Sequence, residues 1–362
     1  MLTDLEELVT CESYSSDLRA VARSADIVAA QGRRLLGVEP ERIVIEGVTH
    51  LRWTFGTPRV LLLGHHDTVW PTGSLATHPW SVTDGVARGP GVFDMKAGLV
   101  QIFHALAALP SLEGVCVLVT GDEEVGSGTS RALIEEAARQ CAATFVLEAS
   151  ADGGALKTAR KGVSSYELVV HGKAAHSGLE PDKGVNAAVG AAQLTLALDA
   201  LADRANAGAR DGWKTTVVPT VVRAGSATNT VPATATVSVD VRVPTVQAQE
   251  WVDIAIRALG VTVPGARVEV RGGPNRPPLE ESSSAALFER AGALAGQHGV
   301  ELSSAAVGGA SDGNFTAGLG CPTLDGLGAV GGGAHADHEH VLVAEMVPRT
   351  QLLAALVKEF TL

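Results

Sequence analysis

The stretch Val60-Leu61-Leu62-Leu63-Gly64-His65-His66-Asp67-Thr68-Val69 runs from apolar residues into two imidazoles and a carboxylate. Four apolar residues and a glycine read as a buried strand that delivers these polar groups at its C-terminal end. Side chains alternate faces along a strand, so His65 and Asp67 project to one side and His66 to the other. A carboxylate two residues from an imidazole on one face can fix its tautomer and orientation, as a metal-ligating histidine requires. Taken alone, the stretch also suits a hydrogen-bonded loop entry.

The pattern recurs. Cys116-Val117-Leu118-Val119-Thr120 leads into Gly121-Asp122-Glu123-Glu124, and Phe145-Val146-Leu147 leads into Glu148. Between the first two strands, Gly89-Pro90-Gly91-Val92-Phe93-Asp94-Met95-Lys96 places an acid at the entry to an apolar helical run, Ala97 to Leu109. In a doubly wound α/β sheet, ligands collect in the crevice outside the carboxyl ends of the strands. His65, Asp94, Glu123, Glu124 and Glu148 all fall at such ends or at the connection beside them. Carboxylates crowded into one crevice repel one another and lose hydration unless cations neutralise them. Singly, Asp94 and Asp122 also suit helix N-caps or solvated turns. The Glu123-Glu124 pair and the recurrence favour a metal site.

The elements that must position these groups form two domains. Up to about residue 160, apolar strands alternate with Ala- and Leu-rich helical stretches, the mark of a βαβ architecture. From about 163 the texture changes. Tyr166 to Gly172 reads as a strand, Asn186 to Leu201 as an Ala-rich helix, and Thr215 to Arg223, Ala233 to Val243 and Val268 to Arg271 as Val- and Thr-rich strands. With a second helix near Val246 to Leu259 the order is β-α-β-β-α-β, a split βαβ sandwich. Gly272-Gly273-Pro274-Asn275-Arg276-Pro277-Pro278 reads as the linker that ends it. Helices from Ser283 to Gly299 and Val343 to Phe360 return to the first domain. The expected fold is α/β: a discontinuous catalytic domain, 1–162 and 274–362, with an inserted α+β domain, 163–273.

Composition narrows the function. The 362 residues are 46% hydrophobic, enough for full cores, and the net charge of −12 argues against nucleic acid or an anionic membrane surface as partner. No apolar run approaches the ~18 residues of a membrane span. Met1-Leu2-Thr3-Asp4-Leu5-Glu6-Glu7 lacks the basic and apolar regions of a signal peptide. Cys11, Cys116, Cys141 and Cys321 are scattered, as reduced thiols in a cytoplasmic protein would be.

On Gly64-His65-His66-Asp67-Thr68-Val69, Gly89 to Lys96, Asp122-Glu123-Glu124-Val125-Gly126-Ser127, Glu148, Gly172-Lys173-Ala174-Ala175-His176-Ser177-Gly178 and Gly333-Ala334-His335-Ala336-Asp337, the chain resembles the M20 family of dinuclear zinc hydrolases. It is most similar to the glutamate carboxypeptidase (carboxypeptidase G2-like) branch. The match covers nearly the whole chain, in order and spacing. The resemblance implies a zinc-peptidase-like α/β/α catalytic domain and an inserted dimerisation or lid domain. It implies two Zn²⁺ per chain, replaceable by Co²⁺ or Mn²⁺: His65 and Glu148 on one, Glu124 and His335 on the other, and Asp94 bridging. Glu123 would be the general base and Asp67 the partner that orients His65. His176, from the inserted domain of a partner subunit, would stabilise the oxyanion; without the resemblance it reads as a surface loop histidine. The resemblance further implies a cis peptide at Asp94–Met95.

Asn229 and Arg242 match positions that bind a substrate carboxylate in related enzymes, and Gly308-Gly309-Ala310-Ser311-Asp312-Gly313 resembles the family's loop that contacts it, through Gly309 and Ser311. A guanidinium supplies the bidentate fork such recognition needs, although Arg242 could equally be a strand-surface charge paired with Asp240. The Ala-rich helix, with Ala187, Ala188, Ala191, Ala192 and Ala197, suits close packing in a homodimer formed through the inserted domain; Ala richness also follows from helix propensity alone. Gly326 to Gly331 satisfies G-x-G-x-x-G literally, but no helix pattern follows, which rules out dinucleotide binding. Among His335, His338 and His340 only the first fits the family frame; the others read as solvated or supporting. No G-x-S-x-G elbow is present. The leading expectation is a zinc-dependent hydrolase of an amide or peptide bond in a small substrate or peptide with a free carboxylate, either C-terminal glutamate or N-acyl amino acid. A pathway-specific deacylase and a non-catalytic binding protein are the alternatives.

Overall fold

The computed structural model describes residues 1–207, 213–297 and 301–361. They form two compact units, Met1–Arg160 with Leu279–Leu362, and Lys161–Pro278. The first unit is built on a six-stranded sheet. Strands β1 (Glu41–Ile45), β2 (Val48–Phe55), β3 (Val60–His65), β4 (Val115–Thr120) and β5 (Ala143–Val146) stand in the order β1-β2-β4-β3-β5, followed by Thr323–Leu324. β4, β3, β5 and Thr323–Leu324 run parallel, and β2 joins β4 antiparallel.

Every residue of β3, β4 and β5 is buried, because helices cover both faces. Leu61 and Leu63 pack with Leu118, Ile134 and Phe315 on one face. Val60 and Leu62 pack with Leu99, Phe103 and Leu353 on the other. That is the expected α/β/α layering. β3 lies between β4 and β5, so successive connections leave it in opposite directions and a crevice opens beyond its carboxyl end.

The second unit is a four-stranded antiparallel sheet of β6 (Gly162–His171), β7 (Thr216–Ala224), β8 (Thr234–Val243) and β9 (Arg267–Arg276), ordered β7-β8-β6-β9. Helices Ala187–Ala205 and Val246–Arg257 cover one face, closing a core of Leu168, Val170, Val237, Val239, Leu194, Leu198 and Ile256. The order is β-α-β-β-α-β. Along β8 alternate residues are buried, leaving Ser238, Asp240 and Arg242 on the open face. One expectation fails here: Gly272–Arg276 is not a linker but the second half of β9, paired with β6 through a register shift at Pro274. β9 is an edge strand, where a proline costs no ladder bond, and Gly272, two residues before the register shift, takes a positive φ that glycine tolerates. The helix expected from Ser283 spans Ala285–Gly296; its expected end, Gly299, lies outside the described residues. Among the described residues no helix is long and apolar enough to cross a membrane.

Helix Ala97–Ala107 approaches β5 unusually closely. A Cβ on Gly98 would stand 2.0 Å from the carbonyl oxygen of Leu147, the residue before Glu148. Alanine would gain about 1 kcal/mol in helix propensity but push the helix off that backbone, an overpacking cost of about 1–3 kcal/mol or more. Gly98→Ala is therefore expected to lower stability by about 2 kcal/mol in urea unfolding. A midpoint at or above the parental one would show that the close approach is not needed.

Candidate metal centre

The crevice beyond β3 lies wholly within the first unit. His65 ends β3, Glu123 and Glu124 open the short helical turn after β4, and Glu148 follows β5 by two residues. Asp94 comes from the Val92–Lys96 turn, where the Asp94–Met95 peptide is cis as the resemblance implies. His335, at φ 62, comes from the loop before His340–Leu342.

Asp94 stands between the two imidazoles. Its Oδ1 lies 3.3 Å from His65 Nε2, and its Oδ2 lies 3.3 Å from His335 Nε2. Glu148 Oε1 is 3.5 Å from the same His65 nitrogen, and Glu124 Oε2 is 3.2 Å from the same His335 nitrogen. The donors fall into two sets that share one carboxylate. One oxygen of Glu123 falls within 4.8 Å of donor atoms of His65 and Glu148.

These groups are held from behind. His65 Nδ1 is 3.0 Å from the Asp67 carbonyl oxygen and 3.4 Å from its Oδ1, so the ring is oriented by backbone and carboxylate together. The Asp67 carboxylate also accepts from the Glu123 and Glu124 amides, at 3.2 Å each, and from Ser15 Oγ at 2.8 Å. One buried acid thus sets both His65 and the two glutamates. His66 points the other way, to the Thr49 carbonyl oxygen, and burial pushes it down to about 4, so it stays neutral. Asp122 caps the following segment, accepting from the Thr129 and Ser130 amides and hydroxyls. Asp94 caps nothing.

The electrostatics follow from this crowding. Burial opposes the Asp94 charge, yet the two imidazoles hold its carboxyl well below the usual range. Burial pushes Glu124 up to about 7 against the pull of His335. Hydrogen bonds to Asp94 and Glu124 raise His335 to about 10. His65 also rises well above its ordinary value, because Asp67, Asp94 and Glu148 outweigh its burial. The acids favour positive charge beside them, and the upward shift of both imidazoles is the same effect seen from the other partner. His65 Nε2 and Glu124 Oε1 are buried without a hydrogen-bond partner among the described residues. Orphaned ligand atoms facing shared carboxylates fit metal ions.

Several residues escaped the sequence reading. Arg160, 4% exposed, reaches Asp325 (Nε–Oδ2 2.7 Å), the Gly309 carbonyl oxygen (3.2 Å) and Glu148 Oε2 (3.8 Å). Asp312 accepts from Thr120 Oγ1 and Ser127 Oγ, tying the glycine-rich loop to the end of β4. Glu339 accepts from the Asp94 turn. Arg160 and Asp325 lie far apart in sequence and in no motif; only folding joins them.

The expected recognition residues are placed as follows. Gly309 is exposed, whereas the Ser311 hydroxyl is buried and donates to Asp325 at 2.6 Å, so its side chain serves the loop's interior. In the second unit, His176 pairs with Thr230, and its Nδ1 accepts from the Gly178 and Leu179 amides, which leaves the proton on an outward Nε2. Asn229 is its neighbour through Ser177 N. Arg242 is held by Asp240 through Nε (2.9 Å) and Nη2 (3.0 Å). His338 is exposed, and its carbonyl oxygen lies 2.9 Å from His340 Nδ1; neither ring meets the acids.

An open α/β sheet with imidazoles and carboxylates gathered at its switch point defines a candidate metallohydrolase centre. The family model that matches residues 61–359 is peptidase family M20/M25/M40, and the chain belongs to it. Carboxypeptidase G2 from Pseudomonas sp. (strain RS-16) is 31% identical, covering 98% of this chain and 88% of the relative. Succinyl-diaminopimelate desuccinylase from Burkholderia vietnamiensis is 32% identical over 84% of this chain and 86% of the relative. A M20 family metallo-carboxypeptidase from Sulfolobus solfataricus shares the fold at 16% identity, with a TM-score of 0.75 over 99% of both chains.

The Arg160 guanidinium is the buried counter-charge of Asp325 and neighbour of Glu148. Arg160→Met is expected to cost about 3–5 kcal/mol in denaturant unfolding, because it strands buried acids without their cation. A loss below about 1 kcal/mol would mean that these acids are neutral or solvated.

Proposed function

We propose that the protein hydrolyses an amide or peptide bond in a small substrate with a free carboxylate, of the C-terminal glutamate or N-acyl amino acid type, using two divalent cations. The observation that carries this reading is Asp94, whose two oxygens face two separate imidazole–carboxylate sets. His65, Glu148 and Asp94 would hold one ion, and His335, Glu124 and Asp94 the other. Imidazole and carboxylate donors suit Zn²⁺, with Co²⁺ or Mn²⁺ as substitutes. Two such ions, when bound, polarise the scissile carbonyl and acidify the attacking water.

The protein's own residues do the rest. Glu123 accepts the proton of the attacking water and returns it to the leaving nitrogen, a general acid–base role worth about 10²–10⁴-fold. Asp67 keeps Glu123 and His65 in register through the bonds described above. The outward Nε2–H of His176 is the donor assigned to the oxyanion, in the active site of a partner subunit. Arg242, Asn229 and the Gly309–Ser311 loop are the residues assigned to the substrate carboxylate; Arg242 Nη1 has no partner among the described residues and can serve while Asp240 keeps the other edge. A homodimer through the second unit is supported by an open apolar stripe, Val189, Ala192 and Leu196, on helix Ala187–Ala205, and by Val218 and Val222 on the edge strand β7. The desuccinylase relatives favour a second reading, a deacylase serving one pathway. A screen of acyl-amino acids, γ-glutamyl compounds and short peptides separates the two.

Metal analysis after Zn²⁺ or Co²⁺ loading is expected to give close to two ions per chain; a value near zero would sink the reading. Glu123→Gln should keep both ions and the substrate KM yet lose at least about 100-fold in kcat. Near-native turnover in that variant would remove Glu123 as the base. Mixing His176→Ala chains with Glu123→Gln chains should restore activity, since one site of the mixed dimer receives both native groups. Mixed dimers no more active than either parent would show that His176 does not act across the interface.

A further inference from the structure

Glu339 is 3% exposed and lies four residues beyond His335, next to the strand His340–Leu342 that pairs with Val86–Arg88. Its Oε1 accepts from the Phe93 amide at 2.8 Å and the Asp94 amide at 3.0 Å. Its Oε2 accepts from the Gly91 amide at 3.1 Å and from Trp70 Nε1 at 2.7 Å. Four donors therefore converge on one buried carboxylate, three of them from the backbone of the turn that carries Asp94. The chain that carries His335 and the chain that carries Asp94 meet at this side chain. His65 and Glu148 are fixed by the ends of β3 and β5 and do not depend on it.

We propose that Glu339 is a positioning residue that sets the spacing between Asp94 and His335, and so governs most strongly the ion bound by His335, Glu124 and Asp94. Two of that ion's three ligands lie on the segments Glu339 joins, whereas the ion bound by His65 and Glu148 shares only Asp94 with them. The inference rests on the two-ion reading above. A carboxamide in place of the carboxylate keeps the volume but offers one acceptor oxygen, while its NH₂ faces N–H groups that need an acceptor. Two of the four donors, at least one of them from the turn, are then unsatisfied in a buried place, and the turn relaxes to repair them.

The test is Co²⁺ binding followed by chelator competition and by the visible Co²⁺ spectrum, in the parent, Glu339→Gln, Glu339→Asp and Trp70→Phe. In Glu339→Gln one ion should bind within about threefold of the parental affinity and the other at least about tenfold more weakly, the effect expected when a group supporting a ligand is lost. The spectrum should change chiefly for the weakened ion. Glu339→Asp keeps the charge but is a methylene too short to serve both oxygens' donors, so it should weaken the same ion; where Glu339→Gln fails to fold, this variant decides. Trp70→Phe removes one donor and leaves the three backbone bonds, so both ions should remain. Two ions of parental affinity in the glutamate variants, or equal weakening of both ions, would overturn the proposal. A parent that binds fewer than two ions would overturn the metal reading, and this inference with it.

Discussion

Asp94, Glu124 and Glu148 direct their carboxylates into one buried crevice, where each disfavours the charge of the others and little water offsets the cost. The opposing pulls on Glu124 and Asp94, one raised and the other held low, are the signature of acids competing for the same positive charge. The same demand draws both imidazoles upward, and bound cations would meet it. Much of the first unit can be understood as the means of holding these acids in place despite their repulsion.

Rigidity at the strand ends comes from sheet topology and from close packing. β3 is flanked by parallel partners on both sides as far as Leu63, and His65 itself stays paired with Thr120 of β4. Small residues then bring other elements within reach. Gly64 faces the side chains of Met95 and Leu99, and Gly98 and Gly328 both lie against the backbone at Leu147. Asp67 and Asp312 bind the segments after β3 and β4 to each other and to the glycine-rich loop. A second layer of buried acids therefore holds the first, each with its own hydrogen-bond donors, and Arg160 supplies a fixed cation on the Glu148 side.

The strand ends were legible because β-strand alternation and short apolar runs are local signals, and the same holds for β6, β8 and the Ala-rich helix. Gly272–Arg276 was misread because glycine and proline mark turns in most contexts, whereas an edge strand with an irregular register accepts both. Asp94 could have been a cap; nothing local distinguishes a carboxylate that caps a helix from one that stands 3.3 Å from two imidazoles drawn from residues 65 and 335. Arg160 and Glu339 were invisible for a related reason. Their meaning lies in partners 165 and 245 residues away in sequence, and no periodicity encodes that. The histidine-rich run at 335–340 drew attention to imidazoles, although after His335 its structurally decisive member is the acid among them.

The residues proposed for the metal lie in one unit, and those proposed for the substrate lie in both. The proposed ligand set, Asp67, Glu123 and the Gly309–Ser311 loop belong to the first unit, while His176, Asn229 and Arg242 belong to the second, which closes its own core. Substitutions on the open face of β8 can therefore alter the residues assigned to recognition without touching the packing that holds the acids. Holding the acids in the crevice constrains the first unit at many positions at once, whereas the Arg242 side chain, on a half-exposed face, is paired among the described residues with Asp240 alone.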